Sequence, residues 1–339
     1  PAPPGPVPTF VAQEPKPVEM PVALDEGGAI TVGAGGRSFE VATRMSLPGG
    51  EWWQPPAAEG GAELAAGDDA TREWAAGAWR VERMVSVRDD HVAVADTLTN
   101  TSDALAGAIV EHFAPIAEQP SEVRIAGQPM TPTSVKARNA YHPSVYAHWP
   151  DCGLALLAED DTMRAHNLTF REPDRFGISD DHLGLQGGDS VTLEWSIYPT
   201  PGGDYWDFVN ATRSNWGVNF TIPGPFVFGS GVNSGWDPEQ YAEWMHERDL
   251  KIICGGIPQY PDGRYAHGTG MLFAPEWVAR ERDWITKMRE AAPETVPVCY
   301  FHAQCCTEPG GEEKYADSAL LDAEGHHVGY PYRYRLPLY

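Results

Sequence analysis

Three stretches of this sequence place aromatic rings beside amides, imidazoles and carboxylates in segments without regular periodicity: 226–236, 258–271 and 302–315. They carry Asn233 and Trp236, then Gln259, Tyr260, Asp262, Tyr265 and His267, then His302, Gln304 and Glu308. Rings of this kind stack on the apolar faces of pyranoses, and polar groups between them share hydrogen bonds with hydroxyls, so these residue types suit sugar binding. Glu308 is the one weak candidate for acid–base work. Glycoside hydrolysis takes two carboxylates, about 5 Å apart for retention or roughly 6.5–9.5 Å for inversion, and no convincing second precedes Tyr339. No His/Asp/Glu cluster with metal-ligand spacing and no Gly-x-Ser-x-Gly nucleophile elbow is present, so neither a metal nor a cofactor is expected.

The elements that must position these residues change character along the chain. From about Ala29 to Pro199 the apolar period is two. In Trp79 to Arg88, Val81, Arg83, Val85 and Val87 alternate with Arg80, Glu82, Met84 and Ser86. Asp89-Asp90 supply a turn, His91 to Thr99 alternates again, and Asn100-Thr101-Ser102-Asp103 precedes Leu105 to Phe113. Three such strands with polar turns predict an antiparallel meander. Further strands are predicted at 153–158, 165–170 and 190–198, with no helix between them. Together they predict a large antiparallel β-sandwich.

At Gly203 the period becomes helical. Asp204 caps a helix carrying Tyr205, Phe208, Val209, Thr212 and Trp216 at helical spacing, and Gly217 stops it. Val218 to Phe228 reads as a strand running into a loop. Asp237-Pro238-Glu239-Gln240 then opens a helix by capping box, with Tyr241, Trp244 and Met245 on its buried stripe. Lys251 to Ile257 is an apolar strand. Pro275 opens another helix with Trp277, Val278, Trp284, Ile285 and Met288 on one face, and Val296 to His302 is the next strand. Apolar strands alternating with helices predict parallel βαβ units. The fold expectation is thus a multidomain β plus α/β chain, a sandwich followed by the first βα units of a TIM-type barrel. An open doubly wound sheet is the competitor, without a glycine-rich phosphate loop to support it. The expected parts are a Pro-rich lead-in over 1–28, the sandwich over 29–200, a linker helix over 201–217 and an incomplete barrel over 218–339.

Strand-end loops of a parallel barrel form its site, which is why the three stretches above are selected. Their residues also have plainer roles open to them. Tyr260 and Tyr265 can pack their own loop, His302 can fill the barrel interior, and Glu308 can be a solvated carboxylate. Asp237 is explained by its cap.

Forty-eight acidic residues against 24 basic give a net charge of −24, which argues against nucleic acid or an anionic membrane as partner. No stretch approaches the roughly 18 apolar residues of a membrane span. The five cysteines, Cys152, Cys254, Cys299, Cys305 and Cys306, show no zinc-finger spacing and read mainly as buried thiols. The proline-rich start resembles a linker behind a removed signal, giving a secreted, periplasmic or cell-surface location as the expectation. The aromatic-rich end reads as a chain stopping inside the barrel. The oligomeric state is not legible.

The segment WRVERMVSVRDDHVAVADTLTNTSDALAG resembles the mutarotase-like super-sandwich found ahead of catalytic barrels in several glycoside hydrolase families. Its Arg-x-Val-x-Val strand, Val-x-Val-x-Asp-Thr strand and Asn-Thr-Ser-Asp turn carry the likeness. Super-sandwich, linker helix (GDYWDFVNATRSNWG) and opening barrel strand, in that order, resemble relatives of family 36 α-galactosidases and family 101 endo-α-N-acetylgalactosaminidases. EKYADSALLDAEGHHVGYPY is similar to barrel insertions in bacterial glycoside-hydrolase-like proteins. The resemblance implies a glycoside hydrolase acting on an extracellular polysaccharide or glycan, with its main catalytic carboxylates beyond residue 339. The alternative is a non-catalytic carbohydrate-binding or structural protein on a degenerate barrel. A redox or metal function at Cys299, Cys305 and Cys306 is a third reading.

Overall fold

The computed structural model describes residues 17–56, 61–218, 224–228, 236–254, 275–298, 310–322 and 324–328. The chain divides into two compact units, Ala12–Phe220 and a second made of Thr221–Tyr339 with Pro1–Val11.

In the first unit the period-two stretches fold as two large antiparallel sheets. The first strands are β1 (Val22–Leu24), β2 (Ile30–Ala34), β3 (Arg37–Ser46), β4 (Trp52–Trp53), β5 (Ala62–Leu64) and β6 (Asp69–Ala76). Next come β7 (Trp79–Val87), β8 (Val92–Asn100), β9 (Ala106–Pro115), β10 (Glu122–Ile125), β11 (Gln128–Pro129) and β12 (Val135–Arg138). The last are β13 (Ser144–Trp149), β14 (Cys152–Ala158), β15 (Asn167–Arg171), β16 (Arg175–Leu185) and β17 (Ser190–Pro201). One sheet runs β12-β15-β16-β9-β3-β2-β1-β5 with β4 on β3, and the other runs β11-β10-β13-β14-β17-β8-β7-β6. Their inner faces share one apolar core in which Val22, Leu24, Ile30 and Val41 of the first sheet meet Trp79, Val81, Val85 and Leu98 of the second. β1 belongs to this core, so the sandwich begins inside the span read as lead-in.

Two expectations are corrected here. Of the expected three-strand meander the β7–β8 pair holds, but β8 pairs next with β17, and β9 lies in the opposite sheet between β16 and β3. The Asn-Thr-Ser-Asp run is therefore a crossing between sheets, not a hairpin turn. Buried Asn100 ties it down: its Nδ2 donates to the carbonyls of Ala104 and Leu185, and its Oδ1 accepts from the Ser102 amide and hydroxyl. Second, the strand expected over 165–170 starts only at Asn167. A short helix, α1 (Asp161–His166), precedes it, because the Asp160 carboxylate caps the Thr162 and Met163 amides and Met163 is buried beneath.

The inward side of β7 carries an arginine among its valines. Arg83 is sealed from solvent, donating from Nε and one terminal nitrogen to both oxygens of Asp96 at 2.7 Å. It also donates to the Gly28 carbonyl and the Thr43 hydroxyl, each at 2.7 Å. Its guanidinium lies 5.1 and 5.3 Å from the Trp74 and Trp195 ring centres. Because Thr43 Oγ1 accepts from Arg83, its own proton can go to His112 Nδ1 at 2.9 Å, and Trp195 Nε1 donates to Asp96 at 3.0 Å. The ion pair lies within the second sheet, Arg83 of β7 opposite Asp96 of β8, and Thr43 of β3 and His112 of β9 meet it from the first.

Helix α2 (Tyr205–Asn215) starts at the expected cap Asp204, which forms a capping box with Asp207, and the expected stop Gly217 stands at φ 66° beyond its end. Tyr205 and Phe208 pack onto Tyr146, Ala155, Leu157 and Tyr198, the outward residues of β13, β14 and β17. The helix thereby covers one part of the outer face of the second sheet.

The second unit holds β18 (Phe226–Phe228), α3 (Pro238–His246), β19 (Ile252–Cys254), α4 (Pro275–Ala291) and β20 (Val296–Val298). The three strands are parallel, Phe226 opposite Ile252 and Ile252 opposite Val296. Asp237 and Gln240 form the expected capping box. Tyr241, Met245, Leu250, Ile253, Met288 and Ala292 make the core, with Trp244 and Trp284 packed against it. A short α5 (Gly311–Lys314) follows, then an antiparallel bridge between Leu321 and His327 with Asp322 Oδ1 accepting the His326 amide. Among the described residues the parallel sheet has three strands and no barrel closure.

Candidate functional site

Of the residues selected from sequence, Trp236 alone is described. It is partly buried, its ring 5.6 Å from Tyr241 and 6.1 Å from Trp244, so it packs the start of α3. Asn233, Gln259, Tyr260, Asp262, Tyr265, His267, His302, Gln304 and Glu308 lie outside the described residues, as do Cys299, Cys305 and Cys306. Cys152 and Cys254 are buried, and Cys152 is a free thiol. Burial pushes the Cys152 thiol up to about 11, away from thiolate chemistry. Among the described residues no group of three His, Cys, Asp or Glu side chains is placed to hold a metal ion.

Strongly perturbed titration marks many active sites, and here it marks the inter-sheet network. His112 is lowered to about 3, first by burial and then by the Arg83 charge, partly opposed by Asp96. Burial alone would raise Asp96, but the charge and hydrogen bonds of Arg83 more than reverse this and hold it below its usual value. Arg83, Asp96 and His112 are all closed off from solvent, so no substrate reaches them. This cluster joins two sheets.

One open site is a trough of ≈ 610 Å³ on the outer face of the second sheet, beside the part that α2 covers. Its floor follows from strand alternation. Ser86 of β7, Ala93 of β8 and Ser196 of β17 stand side by side across three strands, and Ala95 lies next along β8. These side chains are small, so the sheet surface stays low between taller walls. Met84, Arg88, Glu194 and Tyr198 rise from the same strands, and Glu159, Asn215 and Trp216 come from beyond β14 and from the end of α2.

One end of the trough is a hydrogen-bonded cluster. The turn between β7 and β8, closed by the Arg88 amide on the His91 carbonyl at 2.9 Å, presents Asp90 and His91. His91 Nδ1 lies 2.7 Å from Asp90 Oδ1, and the ring stacks on Tyr198 at 4.9 Å. Asn215 Nδ2 donates to Asp90 Oδ1 and to Tyr198 Oη, each at 3.3 Å. Tyr198 Oη donates to one oxygen of Glu159 at 3.2 Å, and Trp216 Nε1 to the other at 2.7 Å. Burial, reinforced by the negative charge of Glu159, holds the Tyr198 phenol well above its usual value. Both oxygens of Glu159 are thus engaged, while Asp90, only 3% exposed, has an Oδ2 with no hydrogen-bond partner among the described residues. Trp216 stays 40% exposed at the rim, with the Arg164 guanidinium 5.1 Å from its ring centre.

His91 Nδ1 faces Asp90 and Asn215 and, among the described residues, no hydroxyl, so this is not a nucleophile-activating pair. What the trough offers is a partly exposed indole at its rim above two nearly buried serines, with the buried Asp90 Oδ2 unpartnered among the described residues. Sequence reasoning read Asp90 as a turn residue and Trp216 as part of a helical stripe. The signal it lacked was strand pairing: only with β17 beside β8 do Ala93, Ala95 and Ser196 become one floor.

No family model matches the sequence, and no curated protein matches it. Solved structures do. The GH36 α-galactosidase AgaB from Geobacillus stearothermophilus aligns with 88% of this chain and 50% of its own, at 9% identity and a TM-score of 0.54. AgaA, a GH36 α-galactosidase from the same organism, aligns with 95% of this chain and 52% of its own, at 10% identity and a TM-score of 0.47. A galactose mutarotase-like protein from Lactobacillus casei aligns with 56% of this chain and its full length, at 9% identity and a TM-score of 0.32. The likeness to AgaB is one of fold, and this chain spans about half of that protein's length.

Proposed function

We propose that this chain is part of a glycoside hydrolase acting on an extracellular polysaccharide or glycan. The observation carrying this reading is the extent of the fold likeness to AgaB. At 88% of the chain it reaches past the larger unit and takes in residues of both. In this reading β18, α3, β19, α4 and β20 are the first βα units of a TIM-type barrel. The segments after the three strands, with Asn233, Gln259, Tyr260, Asp262, Tyr265, His267, His302 and Gln304, contact substrate. Trp236 holds the start of α3. Glu308 stays a weak candidate for acid–base work, and the main catalytic carboxylates lie on strands beyond residue 339. The protein works outside the cytoplasm, in a secreted, periplasmic or cell-surface location.

The test is an activity screen of the longest natural form of the protein against a broad panel of glycans. Release of reducing sugar from at least one glycan is the expected result. Binding without release from any of them would replace the hydrolase with the carbohydrate-binding reading, and neither binding nor release would remove both.

A further inference from the structure

The trough lies within the sandwich unit. We infer that it is a sugar-binding site of its own, selective for an uncharged pyranose. The inference stands on the trough alone and does not need the hydrolase reading.

The first argument is the unused acceptor. A buried carboxylate oxygen without a donor is costly, and buried polar groups are normally satisfied. Asp90 Oδ1 takes donors from its own fold, His91 and Asn215, whereas Oδ2 takes none among the described residues and Asp90 lines the trough. The missing partner is a donor brought from outside. A hydroxyl fits, since it can donate to Asp90 while accepting from another group.

The second argument is the surface beside it. Trp216 offers an aromatic ring at the rim, fixed by the bond from its Nε1 to Glu159 and therefore pre-oriented for stacking on a sugar face. Ser86 and Ser196 put hydroxyls on the floor beside the methyl groups of Ala93 and Ala95, a mixed surface like that of a pyranose ring. The volume, ≈ 610 Å³, falls within the span of small-ligand sites, about 300–1,000 Å³.

The third argument sets the charge of the ligand. Asp89, Asp90, Glu159 and Glu194 line the trough against Arg88, and the whole chain carries −24. Uronic and sulfated sugars are repelled by such a field, and neutral ones are not.

Saturation-transfer and titration NMR on the 339-residue chain test this. The neutral probes are methyl α-D-galactopyranoside and methyl β-D-glucopyranoside, and the charged probe is methyl β-D-glucuronide. Expected is binding of at least one neutral probe, with the glucuronide about tenfold weaker or worse. Asp90→Asn is expected to weaken neutral binding about tenfold, the scale of a hydrogen bond to a charged group. Trp216→Ala is expected to weaken it similarly, while Trp52→Ala, an exposed tryptophan of β4 in the other sheet, leaves it unchanged. Circular dichroism confirms that each variant is folded. If Asp90→Asn does not fold, Trp216→Ala at the solvent-exposed rim still decides the matter. Binding of neither neutral probe, equal binding of the glucuronide, or an unchanged affinity in Trp216→Ala overturns the inference, leaving Asp90 Oδ2 to a bound water.

Discussion

The two units cover their sheets differently. In the sandwich each large sheet hides one face against the other, and even an arginine and an aspartate are sealed inside because each guanidinium nitrogen of Arg83 finds an acceptor. In the parallel sheet, among the described residues, Ile253 of the middle strand β19 is fully buried, while Phe226 and Phe228 of β18 are 47% and 54% exposed. Parallel strands are ordinarily covered on both faces. The sandwich owes its order to a large apolar core between its sheets, with one buried charge pair set into it. The parallel unit owes its order to two helices laid on a small apolar cluster.

That contrast is sharpest at Arg83. Replacing it with leucine leaves Asp96 buried and unpaired, for an expected loss of about 3–5 kcal/mol. Hydrogen exchange read by mass spectrometry should rise across β7, β8 and β17 and stay unchanged in β19. A loss under about 1 kcal/mol would mean that the buried pair adds little to the stability of the sandwich.

Acid should act in the same place. His112 has a folded value near 3 against 6.5 when unfolded, so between those limits the unfolded chain binds more protons. Stability then falls as pH drops from about 6.5 toward 3, by on the order of a few kcal/mol. Asp96, held below its ordinary value, adds a loss of the same sign as pH falls below 3.8. Urea unfolding across this range checks the slope, which His112→Gln should flatten between pH 6.5 and 4. A profile identical in the variant would break the link to His112.

The smallest effect belongs to the other unit. Asp237→Ala removes the cap of α3 and should cost about 1 kcal/mol, with faster exchange confined to the first turn of that helix. Spread of the effect into the sandwich strands would contradict the separate origins of order in the two units.

Much of this fold was legible in the sequence because the signals are local. Alternation marked β7 and β8, Asp204 and Asp237 marked helix starts, and apolar strands between helices marked the parallel register. What stayed hidden depends on partners distant in the chain. Asn100 reads as a turn residue until Leu185 supplies the carbonyl that makes it a sheet crossing. Arg83 shares the side of β7 that carries the valines, and nothing local says that Asp96, Thr43 and two tryptophans await it. The trough needs β17 beside β8, about 100 residues away, before its floor exists. The strand-end residues chosen from sequence were selected by position in an expected barrel, and of these Trp236 turns out to pack a helix.

Glycan-array binding by the 339-residue chain is the most direct test of a carbohydrate-active protein with a sugar site in its sandwich. Retention on uncharged glycans, lost in Trp216→Ala, is the predicted result. Retention on no glycan, or equal retention on sulfated and uronic glycans, would contradict it.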